Sequence, residues 1–394
     1  MPNLAAMAEA GASAEAVESV YPSTTYPAHA TIVTGLPPCK HGIFSHLASL
    51  DPTEKARPWC WFAAGLRAPA LWDVARASNR RTASLSWPVS AGAVIDQNIP
   101  EIWSPAAANP HEDFTTPAQH STPGLFLEVA QALLPMLGKA DPDRLRGEAV
   151  GYIWARFRPH LLLVHLVWYD AQAHAFGPDS VQARAALESS DAVVGRIREI
   201  TAGDRTSLVV LSDHGFLPVE KEVAPFVVLA ENGLFGRGAD GSFALRRLGA
   251  VNAGGSLALY WLEPPSSDDR RRLERALEKL RSSSGVQEIV DRARLKQLEA
   301  DPDAEMMLEA AAGFCFSDRW EGPVVSGSGK DRGTHGYLPS RPGMEAAFIA
   351  VGPEIAPRRS LGRISLKQIA PTLTHLMHLP ADILGTKEKS LVLG

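Results

Sequence analysis

Short runs of almost wholly apolar residues recur along the sequence, and longer stretches with helical periodicity lie between them. Strands that are apolar on both faces must be covered on both faces, which is typical of parallel sheets layered with helices. The predicted strands are Thr82–Trp87, Leu161–Trp168, Ser207–Leu211, Ser256–Leu262 and Ala346–Val351. The predicted helices are Leu125–Leu134, Val181–Thr201, Asp268–Ser282 and Leu366–Leu376. The pattern predicts an α/β fold built on a mostly parallel sheet with helices on both faces.

The segment 218–330 is more mixed than the rest of the chain. It contains the predicted strand Ser256–Leu262, the charged helix Asp268–Ser282 and several glycine-rich turns. No internal repeat and no long low-complexity linker divides the 394 residues. We therefore predict a single domain, residues 1–394, in which 218–330 forms a smaller embedded subdomain.

The composition excludes several classes of protein. A formal net charge of −5 lacks the basic surface that binds nucleic-acid polymers, so we expect no such partner. Three scattered cysteines, Cys39, Cys60 and Cys315, are too few for a disulfide framework or a cysteine zinc site. The best apolar run, Leu161–Trp168, is far shorter than the roughly 18 residues that a membrane span needs. An enzyme acting on small molecules fits what remains.

The first residues of the chain predict a helix. Leu4, Met7 and Ala8 recur at helical spacing, and Gly11 follows where such a helix is expected to end. A secretory leader would show a basic start followed by about 7–15 apolar residues, and this stretch shows neither. As encoded, the chain is expected in the cytoplasm, whereas a leader upstream of Met1 would direct export.

Three segments carry aspartate and histidine where an α/β sheet binds ligands, at the carboxyl ends of strands or in nearby loops. The candidate metal ligands are Asp170 and His174 after the second predicted strand, Asp213 and His214 after the third, and His335 in a glycine-flanked loop before the fifth. Carboxylate and neutral imidazole suit zinc, and this set could hold two ions. A single Asp-His pair is more often a helix cap beside a hydrogen-bonded histidine. Three such clusters together favour a metal site.

The segment Val20–Gly35 supplies a candidate nucleophile. Its hydroxyls at Ser23, Thr24 and Thr25 precede a predicted helix, whose free N–H groups and positive dipole end attract phosphate. A divalent ion beside such a hydroxyl would lower its pKa and make the alkoxide available. The alternative is a proline-rich turn at Ser23 and Thr24, with Thr25 capping the helix.

The order of these motifs resembles that of a known family. The run Tyr-Pro-Ser-Thr-Thr-Tyr-Pro-Ala-His-Ala-Thr-Ile-Val-Thr-Gly, followed by His41-Gly42-Ile43, is similar to the nucleophile segment of type I phosphodiesterases/nucleotide pyrophosphatases, members of the alkaline phosphatase superfamily. The three Asp/His clusters follow in family order, so the resemblance covers essentially the whole chain. It implies an alkaline-phosphatase-like core and a hydrolase of phosphate esters.

The resemblance also implies a role for each candidate residue. Thr25 corresponds to the nucleophile. The two metal sites correspond to Asp170, His174 and His335, and to Asp213, His214 and the Thr25 oxygen. In this family the two divalent ions are typically zinc. The implied reaction has two halves: Thr25 attacks phosphorus to give a phosphothreonine intermediate, and water then hydrolyses that intermediate.

The sequence departs from the family pattern at two points. The family's first strand ends in a metal-ligating Asp-Gly, and this strand is missing ahead of Met1. We therefore expect Met1 to be an internal methionine of a protein that starts several tens of residues earlier. Where many relatives carry an asparagine that donates to a phosphoryl oxygen, this chain has His46, whose ring N–H could make the same contact. The alternative for His46 is an ordinary place in a surface loop.

Together these features predict a metal-dependent hydrolase of phosphodiesters or nucleotide pyrophosphates, with small phosphate esters or nucleotides as substrates. Two alternatives stay open. The same site could serve phosphomonoesters or a phosphonate such as phosphonoacetate, because substrate choice lies in the surrounding loops. Alternatively, without the first-strand aspartate, the chain is an N-terminally truncated, non-catalytic protein that binds a metal or phosphate.

Overall fold

A computed structural model describes residues 1–54, 56–107, 113–237 and 243–394. The α-helices of this part, α1 to α13 in chain order, are Pro2–Ala10, Thr25–Thr34, Pro38–His41, Leu71–Ala77, Thr115–His120, Leu125–Leu133, Pro142–Phe157, Trp168–Phe176, Val181–Ile200, Pro225–Glu231, Ser267–Ser282, Arg292–Gln297 and Ile369–Leu376. Short 3₁₀ helices are Ala63–Gly65, Leu134–Met136, Leu366–Gln368 and Ala381–Leu384. The strands, β1 to β20, are Ala12–Ser13, Ala16–Glu18, Thr82–Leu85, Gln97–Ile99, Leu161–Val164, Leu208–Leu211, Leu217–Pro218, Lys221–Val223, Gly236–Arg237, Phe243–Ala244, Leu248–Asn252, Ser256–Trp261, Val286–Asp291, Met306–Ala310, Phe314–Phe316, Val325–Gly327, Gly333–Thr334, Phe348–Val351, Arg359–Ser360 and Arg363–Ser365.

Every strand and helix predicted from the apolar pattern is present, with ends shifted by a few residues. The helix predicted at the start of the chain is confirmed as α1, which ends directly before Gly11. The Asp191 carboxylate of α9 accepts hydrogen bonds from the backbone N–H groups of Asn3 and Leu4, at 3.2 and 2.8 Å. These bonds satisfy free donors at the start of α1 and hold the helix against α9.

The sheets are mixed in strand direction. Strand β3 lies between β4 and β5 and pairs in parallel with both. In the sheet β19-β1-β18-β6, strand β18 runs antiparallel to both β1 and β6. The predicted α/β class is confirmed, with parallel and antiparallel pairing together.

Helices cover both faces of strand β5. Its side chains alternate: Leu161 and Leu163 join a buried cluster with Ile32 of α2, whereas Leu162 and Val164 pack on the cluster formed by β3, α6 and α7. The first cluster also contains residues of α4, α13 and β18, so it forms the main core beneath α2. As a result α2 is buried at nearly every position, from Tyr26 to Thr34.

Within the segment 218–330, strands β11, β12, β14 and β13 form an antiparallel sheet in that order. Apolar residues of α11, among them Leu273 and Leu280, share a buried cluster with Leu257 and Leu308 of this sheet. That the segment forms an embedded subdomain remains a prediction. Among the helices in the described residues, none combines the length and the hydrophobicity that crossing a bilayer requires.

Candidate active site

Thr25 is the first residue of α2, and Thr24 precedes it in an extended conformation. The Thr24 hydroxyl is buried without a hydrogen-bond partner, and the Ser23 hydroxyl donates to the Val20 carbonyl at 3.0 Å. Ser23 therefore takes part in the turn before the helix, whereas Thr25 belongs to the first turn of α2 itself. In this position the Thr25 hydroxyl lies beside free backbone N–H groups and the positive end of the helix dipole.

His29 connects helix α2 to the end of β6. Its ring lies one turn beyond Thr25, with Nδ1 2.8 Å from the Thr25 carbonyl oxygen and 3.4 Å from Asp213 Oδ2. Burial lowers the pKa of His29, and the neighbouring His165 ring lowers it further. The lowered pKa favours the neutral ring, which contacts both α2 and Asp213.

Asp213 and His214 follow β6 after Ser212, and His214 reaches Thr25. His214 Nε2 lies 3.5 Å from the Thr25 hydroxyl and 3.2 Å from Asp213 Oδ2. Burial alone raises the pKa of the Asp213 carboxyl, but the imidazoles of His214 and His29 outweigh this effect and hold the pKa well below its usual range. The carboxylate is therefore charged in the folded protein.

Asp170 and His174 lie one turn apart on α8, so both point from the same face of that helix. Asp170 Oδ2 is 3.7 Å from His174 Nε2, and Asp170 Oδ1 is 3.6 Å from His335 Nε2. The His335 ring lies between those of His174 and His214, with centroids 5.0 and 4.1 Å apart. Ligand atoms of Asp170, His214 and His335 all lie within 4.8 Å of one another. The two predicted metal-ligand groups therefore form one continuous cluster.

The hydrogen bonds around this cluster fit a divalent metal. His174 Nδ1 donates to the Gly333 carbonyl at 3.1 Å, and His214 Nδ1 donates to the Gly215 carbonyl at 3.0 Å. Metal-binding histidines have this arrangement, because the second ring nitrogen then keeps its lone pair for the ion. One carboxylate oxygen each of Asp170 and Asp213 is buried without a hydrogen-bond partner. Oxygen and imidazole donors of this kind suit zinc.

His46 lies close to the cluster. Its charge would lower the pKa of His335, which burial and the His214 and His174 rings already hold well below the usual value. Burial and nearby Arg57 lower the pKa of His46 to about 4, so the ring is neutral near pH 7. A neutral imidazole keeps one N–H donor. The His46 ring also makes an edge-on contact with Trp59, with centroids 4.8 Å apart.

Two buried carboxylates of this region were missed at the sequence level. Asp143 of α7 is fully buried and accepts hydrogen bonds from the Val167 and Trp168 N–H groups, at 2.9 and 3.0 Å. It therefore caps α8 from a distant helix. Glu101 pairs with His165 Nδ1 at 2.9 Å and accepts the Tyr26 hydroxyl at 2.8 Å. No local spacing in the sequence signals contacts between residues so far apart.

Known proteins resemble this chain in sequence. A model of type I phosphodiesterase/nucleotide pyrophosphatase matches residues 1–338. The chain belongs to this family. An uncharacterised pyrophosphatase/phosphodiesterase of Schizosaccharomyces pombe is 28% identical over 231 residues, which cover 55% of this chain and 41% of the relative. Human ectonucleotide pyrophosphatase/phosphodiesterase family member 1 is 25% identical over 228 residues, 55% of this chain and 21% of the human protein. The matches thus span less than half the length of these relatives.

Solved structures of the family share the fold. Human ectonucleotide pyrophosphatase/phosphodiesterase 5 superposes with a TM-score of 0.68 at 16% identity, covering 99% of this chain and 91% of that chain. An inactive murine form of the same protein, in complex with AMP, gives a TM-score of 0.67 at 16% identity and covers 100% of this chain and 94% of that one. The fold of the family therefore extends over the whole chain.

Proposed function

We propose that this protein hydrolyses phosphodiesters or nucleotide pyrophosphates through a covalent intermediate on Thr25. The observation that carries the proposal is the position of the Thr25 hydroxyl, at the N-terminus of α2 and 3.5 Å from His214 Nε2. A nucleophile there lies against both the Asp/His cluster and the positive end of the helix. A negatively charged phosphoryl group is attracted by both features.

We propose that the Asp/His cluster holds two divalent ions, most simply zinc. Asp170, His174 and His335 would hold one, and Asp213 and His214 with the Thr25 oxygen would hold the other. When bound, such ions supply Lewis acidity: they neutralise phosphoryl charge and lower the pKa of the nucleophile and of water. His174 and His214 are already in the tautomer that such binding needs.

The proposed reaction has two halves, transfer of the phosphoryl group to Thr25 and its transfer from Thr25 to water. In the first, the Thr25 hydroxyl releases its proton to solvent, its oxygen forms a bond to phosphorus, and the bond from phosphorus to the leaving oxygen breaks. The leaving group then takes a proton from solvent. In the second, water attacks phosphorus, the bond to Thr25 breaks, and the hydroxyl regains its proton. His46 is proposed to donate its N–H to a phosphoryl oxygen as negative charge develops.

The substrate is proposed to be a nucleotide or another small phosphodiester, because the chain belongs to this family and the murine relative was solved in complex with AMP. Turnover of bis-p-nitrophenyl phosphate, p-nitrophenyl phosphate and phosphonoacetate by the zinc-loaded protein compares the three substrate classes. We expect preference for the diester. Preference for the monoester or phosphonate would transfer the proposal to that class, and zinc binding without any turnover would favour the non-catalytic alternative.

The covalent step is tested by two matched substitutions on one helix. Thr25→Val removes the proposed nucleophile at nearly constant volume. Thr34→Val removes a hydroxyl at the other end of α2, which donates to the Ala30 carbonyl at 2.7 Å and accepts the Leu36 N–H at 3.3 Å. We expect Thr25→Val to abolish turnover and Thr34→Val to keep most of it. Acid quenching during turnover of bis-p-nitrophenyl phosphate should trap a p-nitrophenyl phosphoryl group on Thr25, detected by mass spectrometry. Full turnover by Thr25→Val would exclude Thr25 as the nucleophile.

A further inference from the structure

Strand β12 contacts the loop that carries His335. The Gly255 N–H donates to the His335 carbonyl at 2.8 Å, and the Ser256 hydroxyl donates to the Gly336 carbonyl at 2.6 Å. Gly336 adopts a φ of +89°, and a Cβ at this position would lie 1.9 Å from the Ala253 carbonyl oxygen. Only glycine permits so close an approach. The backbone of the His335 loop is therefore held against the strands of segment 218–330.

The same loop is bonded to the nucleophile segment. The Gly336 N–H donates to the Ser23 carbonyl at 2.9 Å. Ser23 lies two residues before Thr25, and Gly336 directly follows His335. The distance between the proposed nucleophile and the proposed metal ligand thus depends on how these two loops meet.

One buried carboxyl joins both loops. Glu309 of β14 is fully buried. Its Oε2 accepts the Tyr21 hydroxyl at 3.2 Å, and its Oε1 accepts the Leu338 N–H at 2.9 Å. Tyr21 precedes Thr25 by four residues, and Leu338 follows His335 by three. Glu309 therefore bridges the two segments from the side of the inserted sheet.

Burying the Glu309 carboxyl at this position costs desolvation free energy. Its neighbours Tyr21, Met307 and Leu338 belong to a buried apolar cluster. Burial raises the pKa of Glu309 to about 8, although the Leu338 N–H and the nearby Arg341 guanidinium, 3.3 Å away, oppose this shift. An apolar side chain would fill the same space without the cost of desolvating a carboxyl. Packing alone therefore does not account for a glutamate.

We propose that Glu309 is a positioning residue for the active site, whose buried carboxyl sets the spacing between the Thr25 segment and the His335 loop. The proposal rests on the function proposed above. Glu309 does not touch the Asp/His cluster; it acts through Tyr21 and Leu338. Misplacement of reacting groups by about 1 Å can lower a rate by about 100-fold, so a small change in this spacing is expected to affect the chemical step.

Two substitutions distinguish the effect of the Glu309 hydrogen bonds from the effect of its side-chain volume. Glu309→Leu keeps most of the volume but removes the carboxyl that accepts the Tyr21 hydroxyl and the Leu338 N–H. Glu309→Gln keeps a carbonyl oxygen for Leu338 and an amide that can donate to the Tyr21 oxygen. The matched control is Leu308→Ala, the adjacent residue of β14, which faces the opposite side of the sheet and the α11 cluster. It removes apolar packing from the same strand and leaves both hydrogen bonds of Glu309 in place.

For turnover of bis-p-nitrophenyl phosphate at saturating zinc, we expect Glu309→Leu to lower kcat about tenfold or more, with KM changed by less than about twofold. Glu309→Gln should recover kcat to within about threefold of the parent, and Leu308→Ala should match the parent. Amide hydrogen exchange supplies a readout besides activity. Exchange in peptides covering residues 20–25 and 335–339 should rise in Glu309→Leu and stay unchanged in Leu308→Ala.

The outcomes distinguish this proposal from the function on which it rests. No turnover by the parent protein on any substrate would refute the proposed function. An active parent with unchanged kcat in Glu309→Leu would refute only the role of Glu309. Unchanged exchange in both peptides would also refute it, because the two loops would then be held by other contacts. Equal losses of kcat in Glu309→Leu and Leu308→Ala would reveal a general effect on stability and refute the positioning role of Glu309.

Discussion

Removal of the Asp143 carboxylate is expected to damage the candidate metal site from a distance. Asp143 lies near the start of α7, but its two oxygens accept the first N–H groups of α8, from Val167 and Trp168. It also pairs with Arg146 at 3.1 Å. Helix α8 carries Asp170 and His174, so the orientation of both proposed ligands depends on this cap. Asp143→Ala removes every one of these contacts at once.

The cost can be worked out from these contacts. A hydrogen bond to a charged acceptor contributes about 1.5–3 kcal/mol, and two such bonds are lost together with the partner of Arg146. We therefore expect Asp143→Ala to lower the free energy of unfolding by about 4 kcal/mol. Asp143→Asn keeps one acceptor oxygen but turns an amide N–H toward the second backbone donor, so its cost should be about half. Both values concern the metal-free protein.

The control is a substitution at Asp141, which precedes Asp143 by two residues. Asp141 caps α7 itself, accepting the N–H groups of Asp143 and Arg144 at 3.0 Å each. Asp141→Ala should cost about 1 kcal/mol, the usual value for a lost N-cap, and leave α8 in place. Urea unfolding in the presence of a chelator measures the stability of each variant.

Zinc affinity, measured by competition with a chromophoric chelator, then distinguishes loss of the α8 cap from loss of the α7 cap. We expect Asp143→Ala to weaken zinc binding by about 10–100-fold, as for partners that orient metal ligands, and Asp141→Ala to leave it unchanged. If zinc binding by Asp143→Ala equals that of the parent while stability falls, the cap does not orient the ligands and the reasoning is wrong.

Two further predictions concern histidines. His46→Ala should lower kcat for the diester by about 100-fold, whereas His46→Asn, which keeps an N–H donor, should keep most of it; equal kcat in His46→Ala and the parent would exclude the donor role. Burial lowers the pKa of His41 to about 3, below its value of about 6.5 in the unfolded chain. The unfolded state therefore binds the extra proton, so stability is complete above about pH 6.5 and falls by about 1.4 kcal/mol per pH unit below it. Urea unfolding at pH 7, 6 and 5 should show a shallower fall in His41→Gln; parallel profiles would contradict this.

The sequence predicted what is periodic or ordered along the chain. The apolar alternation located β5 and β6, and polar residues at their carboxyl ends placed Asp170 and Asp213 at one edge of the fold. The hydroxyl-rich segment before α2 predicted Thr25 at a helix start. The antiparallel pairing of β18 was not foreseen, since the direction of a strand depends on where the intervening chain crosses the sheet and leaves no mark on its own residues.

The supporting carboxylates could not be predicted in the same way. Asp143, Glu101 and Glu309 each act on residues 24 or more positions away. In the sequence each is an ordinary acidic residue, with no motif or period around it. Burial among distant partners gives them their roles, and burial follows only from the complete fold.

Hydrogen bonds that bridge the four segments of the candidate site explain why its side chains converge. Ser19 donates to the Asp213 carbonyl at 2.6 Å and joins the chain before α2 to the end of β6. Ser23 accepts from Gly336, and His174 donates to the Gly333 carbonyl, so the His335 loop is fixed on both sides. Each contact uses atoms that the proposed metal ligation leaves free. The site is therefore organised before any ion binds, and little ordering cost should oppose binding. Loss of one bridge should then weaken metal binding and turnover more than its effect on stability suggests, because geometry within the cluster is lost first.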